Sequence, residues 1–196
     1  MQQLTLNRHD EALREIEQAR ALDPGSSSIL ADRAEILRLS GRTAEALAIL
    51  RQLEATEPAF ASPHRYMRYY YLDSGDYPNF PAEMKPEATI VHDDWLLAQA
   101  NAAAQGYAQE GEHGLFSKLL AEQLKLYGEG KIAAYQLARS EAHLGNNREA
   151  LRYLALSVNE REESLFYLTV DPAFTNFHGD PAFQQIVSRT GISVDR

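Results

Sequence analysis

The sequence predicts an all-α protein built from repeated helical hairpins, and three observations carry that prediction. Four glycines, Gly41, Gly75, Gly111 and Gly145, stand 34, 36 and 34 residues apart. Apolar residues between them recur at the three-to-four spacing of a helix face. Other positions keep the same register: Ala12, Ile16 and Pro24 lie 34 residues before Ala46, Leu50 and Pro58, and Ala104, Phe116 and Leu120 lie 34 before Ala138, Ala150 and Leu154. A fixed period of this length is the signature of a helical repeat array.

Composition narrows the function. Nineteen Lys and Arg against 28 Asp and Glu give a net charge of -9, which argues against a broad nucleic-acid clamp, because phosphate binding needs a basic face. With no cysteine, disulfide frameworks, cysteine zinc sites and thiol nucleophiles are excluded, and the compartment stays open. Apolar stretches fall far short of the roughly 20 residues a membrane span needs. The opening Met1-Gln-Gln-Leu lacks the basic and apolar regions of a signal peptide.

Along the chain, residues 4–22 read as a single helix, with Leu4 and Leu6 as the tail of a missing partner and Asn7 in place of a turn glycine. This half-unit points to a segment of a longer protein, or to a decayed first repeat, because a lone repeat helix cannot bury its apolar face. Residues 27–40 place Leu30, Ala34 and Leu37 on one stripe. Gly41 then supplies a positive-φ cap. Residues 43–56 place Ala46, Leu47, Leu50 and Leu53 on a second stripe, which Glu57-Pro58 closes. Small residues at Ala34, Ala46, Ala138 and Ala150 let paired helices approach closely. The unit from Ala61 keeps the turn Gly75-Asp76-Tyr77 but carries Pro78, Pro81 and Pro86. The first two suit a helix start; Pro86 predicts a kink or stop there. A short helix over 78–85, an irregular link through Ile90-Val91 and a new start at His92-Asp93-Asp94 are therefore expected, with the aspartates capping. Two copies of Asp-Pro-Ala-Phe, at 171–174 and 180–183, predict two short terminal helices, each with Asp at the N-cap and Pro at the first position, ending near Gly191-Ile192.

These residues resemble the tetratricopeptide repeat family. Its pattern of a small residue at slot 8, Gly near 15, Ala at 20, a large apolar residue at 24 and Pro at 32 is met by Ala34, Gly41, Ala46, Leu50 and Pro58. The unit from Lys131 offers Leu137, Ala138, Gly145, Ala150 and Leu154, and the unit from Leu97 offers Ala104, Tyr107, Gly111 and Leu120, with Phe116 where Ala is usual. The resemblance covers about three quarters of the chain and implies a right-handed superhelix, or solenoid, of helical hairpins. It divides the chain into a repeat array over 1–163 (units 1–24 partial, 27–58, 61–92 irregular, 97–128 and 131–163) and C-terminal capping helices over 164–196. The ending carried by Leu168, Asp171, Pro172, Phe174, Asp180, Pro181, Phe183, Gly191 and Ile192 is similar to that of repeat regions attached to bacterial winged-helix transcriptional regulators, although Phe177-His178 departs from it.

Catalytic and cofactor chemistry finds little footing. The six histidines, His9, His64, His92, His113, His143 and His178, form no compact metal-ligand pair, and no Gly-x-Ser-x-Gly elbow occurs. Gly128-Glu129-Gly130-Lys131 lacks the spacing of a phosphate loop and reads as a connector. The cluster of Arg65, Tyr66, Arg68, Tyr69, Tyr70 and Tyr71 could stack on single-stranded nucleic acid, but helical spacing spreads the tyrosines over several faces, which favours packing and partner contact. No metal or cofactor is expected, and no direct nucleic-acid binding.

The family register implies a concave groove lined by the first helix of each unit. Carried over position by position, it comprises Glu35 and Arg38, Arg65 and Tyr69, Asn101 and Gln105, and Tyr135 and Arg139. Arginine recognises carboxylates through paired hydrogen bonds, so the groove would take a protein or peptide partner. The leading reading is a non-catalytic interaction module within a larger bacterial signalling or transcription protein. The alternatives are a small-ligand sensor with a pocket near residues 76–92 and an enzyme with a dispersed site.

Overall fold

A computed structural model describes residues 9–191. Among them every regular element is helical: α1 His9–Leu22, α2 Ser27–Leu39, α3 Thr43–Thr56, α4 Ser62–Ser74, α5 Asn79–Val91, α6 Asp94–Gly128, α7 Ala134–His143, α8 Asn147–Glu160, short 3-10 turns at Glu163–Tyr167 and Pro172–Phe177, and α9 Pro181–Thr190. The all-α hairpin architecture expected from the periodicity is what the structure shows. Leu4, Leu6, Asn7 and Ile192 lie outside the described residues.

The chain divides into two compact units, up to Leu97 and from Ala98. In the first, α1 packs on α2, α2 pairs with α3, α3 leads to α4, and α4 pairs with α5. Ala34 and Ala46 are fully buried where α2 and α3 meet, with Leu37, Leu50 and Met67 around them. Gly41 and Gly75 take φ of 82° and 74°, the left-handed conformation that ends a helix without a Cβ penalty. Glu57-Pro58 follows α3 as expected.

Pro86 does not break its helix. The sequence predicts a stop there and an irregular link through Ile90-Val91, yet α5 runs unbroken from Asn79 to Val91 with Pro86 inside. Phe80, Pro81, Met84 and Ala88 are buried against α4, and this tertiary packing outweighs the hydrogen bond that proline cannot donate to Ala82. The helix ends one residue later, at His92 in the left-handed region (φ 56°). Asp93 then starts α6 as expected, its carboxylate accepting from the Trp95 and Leu96 amides at 3.0 and 2.9 Å.

In the second unit α6 is two arms joined at Glu110-Gly111, where the backbone leaves helical geometry (Gly111 φ 61°, ψ -141°). The glycine at this rung of the ladder therefore also takes a positive φ, but its ψ differs from the 14° of Gly75. The arms meet through glycine pairing that the repeat pattern does not announce: a Cβ on Gly106 would lie 2.0 Å from the Gly114 carbonyl oxygen. Gln123, on the second arm, donates to Gln99 on the first at 3.1 Å and accepts from the Ser140 hydroxyl of α7 at 2.7 Å, with all three buried.

The last hairpin, α7 with α8, shares one core with the terminal segment: Leu137, Ala138, Ala150 and Leu154 pack with Leu168, Phe174, Phe183 and Val187. Glu162, just past α8, accepts from the Ala134 and Tyr135 amides at 2.6 and 3.0 Å, so a residue 28 positions downstream caps α7. Asp171 and Asp180 cap their helices by accepting from the Ala173 and Ala182 amides. Both Asp-Pro signals thus mark real starts.

Candidate functional site

The first helices of the hairpins carry all eight residues that the family register assigns to a binding groove. On α2 the fork of Arg38 donates to both oxygens of Glu35, at 2.8 and 2.9 Å. Its remaining arm donates to Asp73 of α4 at 2.5 Å. Burial alone would lower this guanidinium, but Glu35 and Asp73 outweigh it and hold Arg38 above its ordinary value. Arg38 thereby ties two successive first helices together.

On α4, Arg65 and Arg68 both donate to Glu87 of α5, at 2.9 and 2.5 Å. Glu87 is almost wholly buried, whereas the Arg65 side chain is 44% exposed. The Arg68 guanidinium lies over the ring of Tyr69, 4.5 Å from its centroid. Tyr69 itself is half-buried, and its neighbours Tyr66 and Tyr71 pack on the core, Tyr66 also donating to Asp32 at 2.6 Å. The face thus joins three arginines, Arg38, Arg65 and Arg68, to three carboxylates, Glu35, Asp73 and Glu87. It is balanced in charge within a protein of net charge -9.

In the second unit Asn101 and Gln105 are exposed one turn apart on the first arm of α6. Tyr135 and Arg139 lie deeper on α7. The Tyr135 hydroxyl donates to Asp171 at 3.0 Å, and the Arg139 guanidinium pairs with the same carboxylate at 3.0 Å. These two residues join the terminal Asp-Pro segment to the last hairpin. Asp73, Glu87 and Asp171 are the partners that sequence reasoning missed. The spacing held a clue for Asp73 and Asp171, which lie 35 residues from Arg38 and 36 from Tyr135, one repeat along.

A second cluster forms inside the first unit. His64 of α4 is buried, and its Nδ1 lies 2.8 Å from Glu83 Oε2 of α5 and 3.8 Å from Glu54 Oε1 of α3. Burial pushes the Glu83 carboxyl up; the His64 hydrogen bond pulls it down, the Glu54 charge adds to the rise, and Arg51 opposes it.

A profile of the tetratricopeptide repeat matches residues 3–65, the part that holds α1 to α3 and the start of α4. This match supports the tetratricopeptide repeat family, whose repeats generally mediate protein–protein interaction without catalysis. No curated protein and no solved structure matches the chain. No described helix is long and apolar enough to cross a membrane.

Proposed function

We propose that the chain is a non-catalytic interaction module that holds a peptide or partner domain on its first-helix faces, which carry Glu35, Arg38, Arg65 and Tyr69 in one unit and Asn101, Gln105, Tyr135 and Arg139 in the other. The observation that carries the reading is the Arg65–Arg68–Glu87 arrangement: a buried carboxylate fixes two guanidiniums, leaving Arg65 half-exposed and Arg68 over the Tyr69 ring. Fixed donors lose little freedom on binding, so their hydrogen bonds contribute more to affinity. Arg38 and Arg139, engaged with Asp73 and Asp171, set the spacing of the helices, while Arg65, Tyr69, Asn101 and Gln105 make the outward contacts. The partner would carry carboxylates and aromatic or amide groups to match. We place the module in a larger bacterial signalling or transcription protein, on the likeness of its Asp-Pro-x-Phe ending to regulator repeat regions.

The small-ligand alternative rested on an irregular segment at 76–92, and α5 is regular there. One depression among the described residues is lined by Glu17, Arg20, Ala21, Pro24 and Leu30, outside that segment.

Peptides selected from a display library against the chain provide the test. Arg65→Ala with Tyr69→Ala should weaken the selected peptides at least tenfold by fluorescence anisotropy, with helicity unchanged by circular dichroism. Lys85→Ala, at an exposed position of α5, should leave affinity as it was. Unchanged affinity in the double variant would overturn the assignment.

A further inference from the structure

The cluster of Glu54, His64 and Glu83 has no part in the proposed binding faces, and its geometry is that of a ligand set. From it we infer that the three side chains form a binding site for a divalent metal ion of the zinc class, linking α3, α4 and α5 across two successive hairpins.

The argument begins with the imidazole. His64 Nδ1 faces two carboxylate oxygens at once, Glu83 Oε2 at 2.8 Å and Glu54 Oε1 at 3.8 Å, yet it can donate only one hydrogen. All three ligand atoms lie within 4.8 Å of one another. Zinc bonds to nitrogen and oxygen are about 2.0 to 2.2 Å, which separates tetrahedral ligands by about 3.4 Å. The ion would therefore require the 2.8 Å contact to open and the 3.8 Å contact to close, each by about half an ångström, and the two carboxylate oxygens, up to 4.8 Å apart, to close by up to about 1.4 Å. Both carboxylates are on flexible glutamate stems that permit such adjustment.

Charge points the same way. Two carboxylates beside one imidazole make a negative pocket at the junction of three helices, with Arg51 the cation that acts on Glu83. His64 and Glu83 are largely shielded from solvent, with side-chain exposures of 7% and 16%, whereas Glu54 at 42% opens the cluster to water. A doubly charged cation entering from the Glu54 side would neutralise both carboxylates and displace the proton from Nδ1. Imidazole with carboxylates selects zinc, cobalt and nickel over magnesium and calcium, which prefer all-oxygen shells. Three protein ligands leave a fourth position for water. The sequence conceals the set because its members are 10 and 19 residues apart, on three helices, with no two on one helix turn.

The test titrates the whole chain with Co2+ as a coloured stand-in and with Zn2+. Co2+ should give the visible bands of a tetrahedral nitrogen–oxygen site, and Zn2+ should abolish them. Zn2+ should also raise the melting temperature, because an ion that binds only the folded state stabilises it. Glu54→Gln, at the solvent side where folding is least disturbed, should weaken Zn2+ at least tenfold, and Glu83→Gln likewise. Absence of cobalt bands and of a thermal shift in the wild type would overturn the inference. So would Zn2+ affinity that survives both glutamine variants, since the ion would then occupy other histidines such as His92 or His113.

Discussion

His143 shows how one residue reports on the packing around it. Its ring stacks on Phe116, with centroids 4.0 Å apart and planes 4° from parallel. Burial lowers it from 6.5 to about 4, Arg139 adds to the fall, and Asp171 opposes it. The folded protein therefore keeps His143 neutral where the unfolded chain is already protonated. With the folded value depressed, the unfolded state binds the extra proton between pH 6.5 and 4, and stability falls as pH drops through that window. The full effect is up to about 3 kcal/mol. His143→Phe should flatten the difference between denaturant midpoints measured at pH 7 and pH 4.5. An unchanged difference would show that His143 does not govern the slope.

At the scale of the element, the glycine contact inside α6 and the proline inside α5 make opposite predictions. A methyl on Gly106 would strike the Gly114 carbonyl, so Gly106→Ala should force the two arms apart and cost about 3 kcal/mol or more by denaturant melt. Gly128→Ala, where a Cβ meets nothing, serves as its control and should be close to neutral. Pro86→Ala restores a donor for the Ala82 carbonyl in a helix that already tolerates the ring, and should raise stability by about 1 kcal/mol or more. If Pro86→Ala destabilises instead, the ring itself must be part of the α4–α5 packing.

These elements also show which parts of the fold were legible. Gly41, Gly75 and Gly145 ended helices because positive φ selects glycine locally, and Asp171-Pro172 and Asp180-Pro181 started them because capping acts within three residues. Pro86 misled because its local preference was opposed by Phe80, Met84 and Ala88, whose burial depends on a helix elsewhere in the chain. The Gly106–Gly114 approach was missed because the arms fold back on each other through a turn whose geometry no spacing rule fixes. Glu162 capping α7 and Glu87 holding two arginines are likewise long-range pairings. At the candidate site, the positions on first helices could be read from the repeat register, whereas their carboxylate partners lay one repeat away or on the second helix of the hairpin.

At the scale of the whole molecule, net charge and working surface say different things. The charge of -9 describes the exterior in sum, while the first-helix face of the first unit pairs each of its three arginines with a carboxylate. Recognition there would come from fixed hydrogen-bond directions and not from long-range attraction, so affinity for a selected peptide should depend only weakly on salt. A tenfold loss between low and moderate salt would contradict that reading.

The most direct measurement is amide chemical-shift mapping while a selected peptide is titrated into the labelled chain. The account predicts perturbations concentrated on the first helices, around Glu35 and Arg38 of α2, Arg65 and Tyr69 of α4, and Asn101 and Gln105 of α6. Perturbations gathered instead on α3, α5 and α8, with the first helices silent, would contradict it.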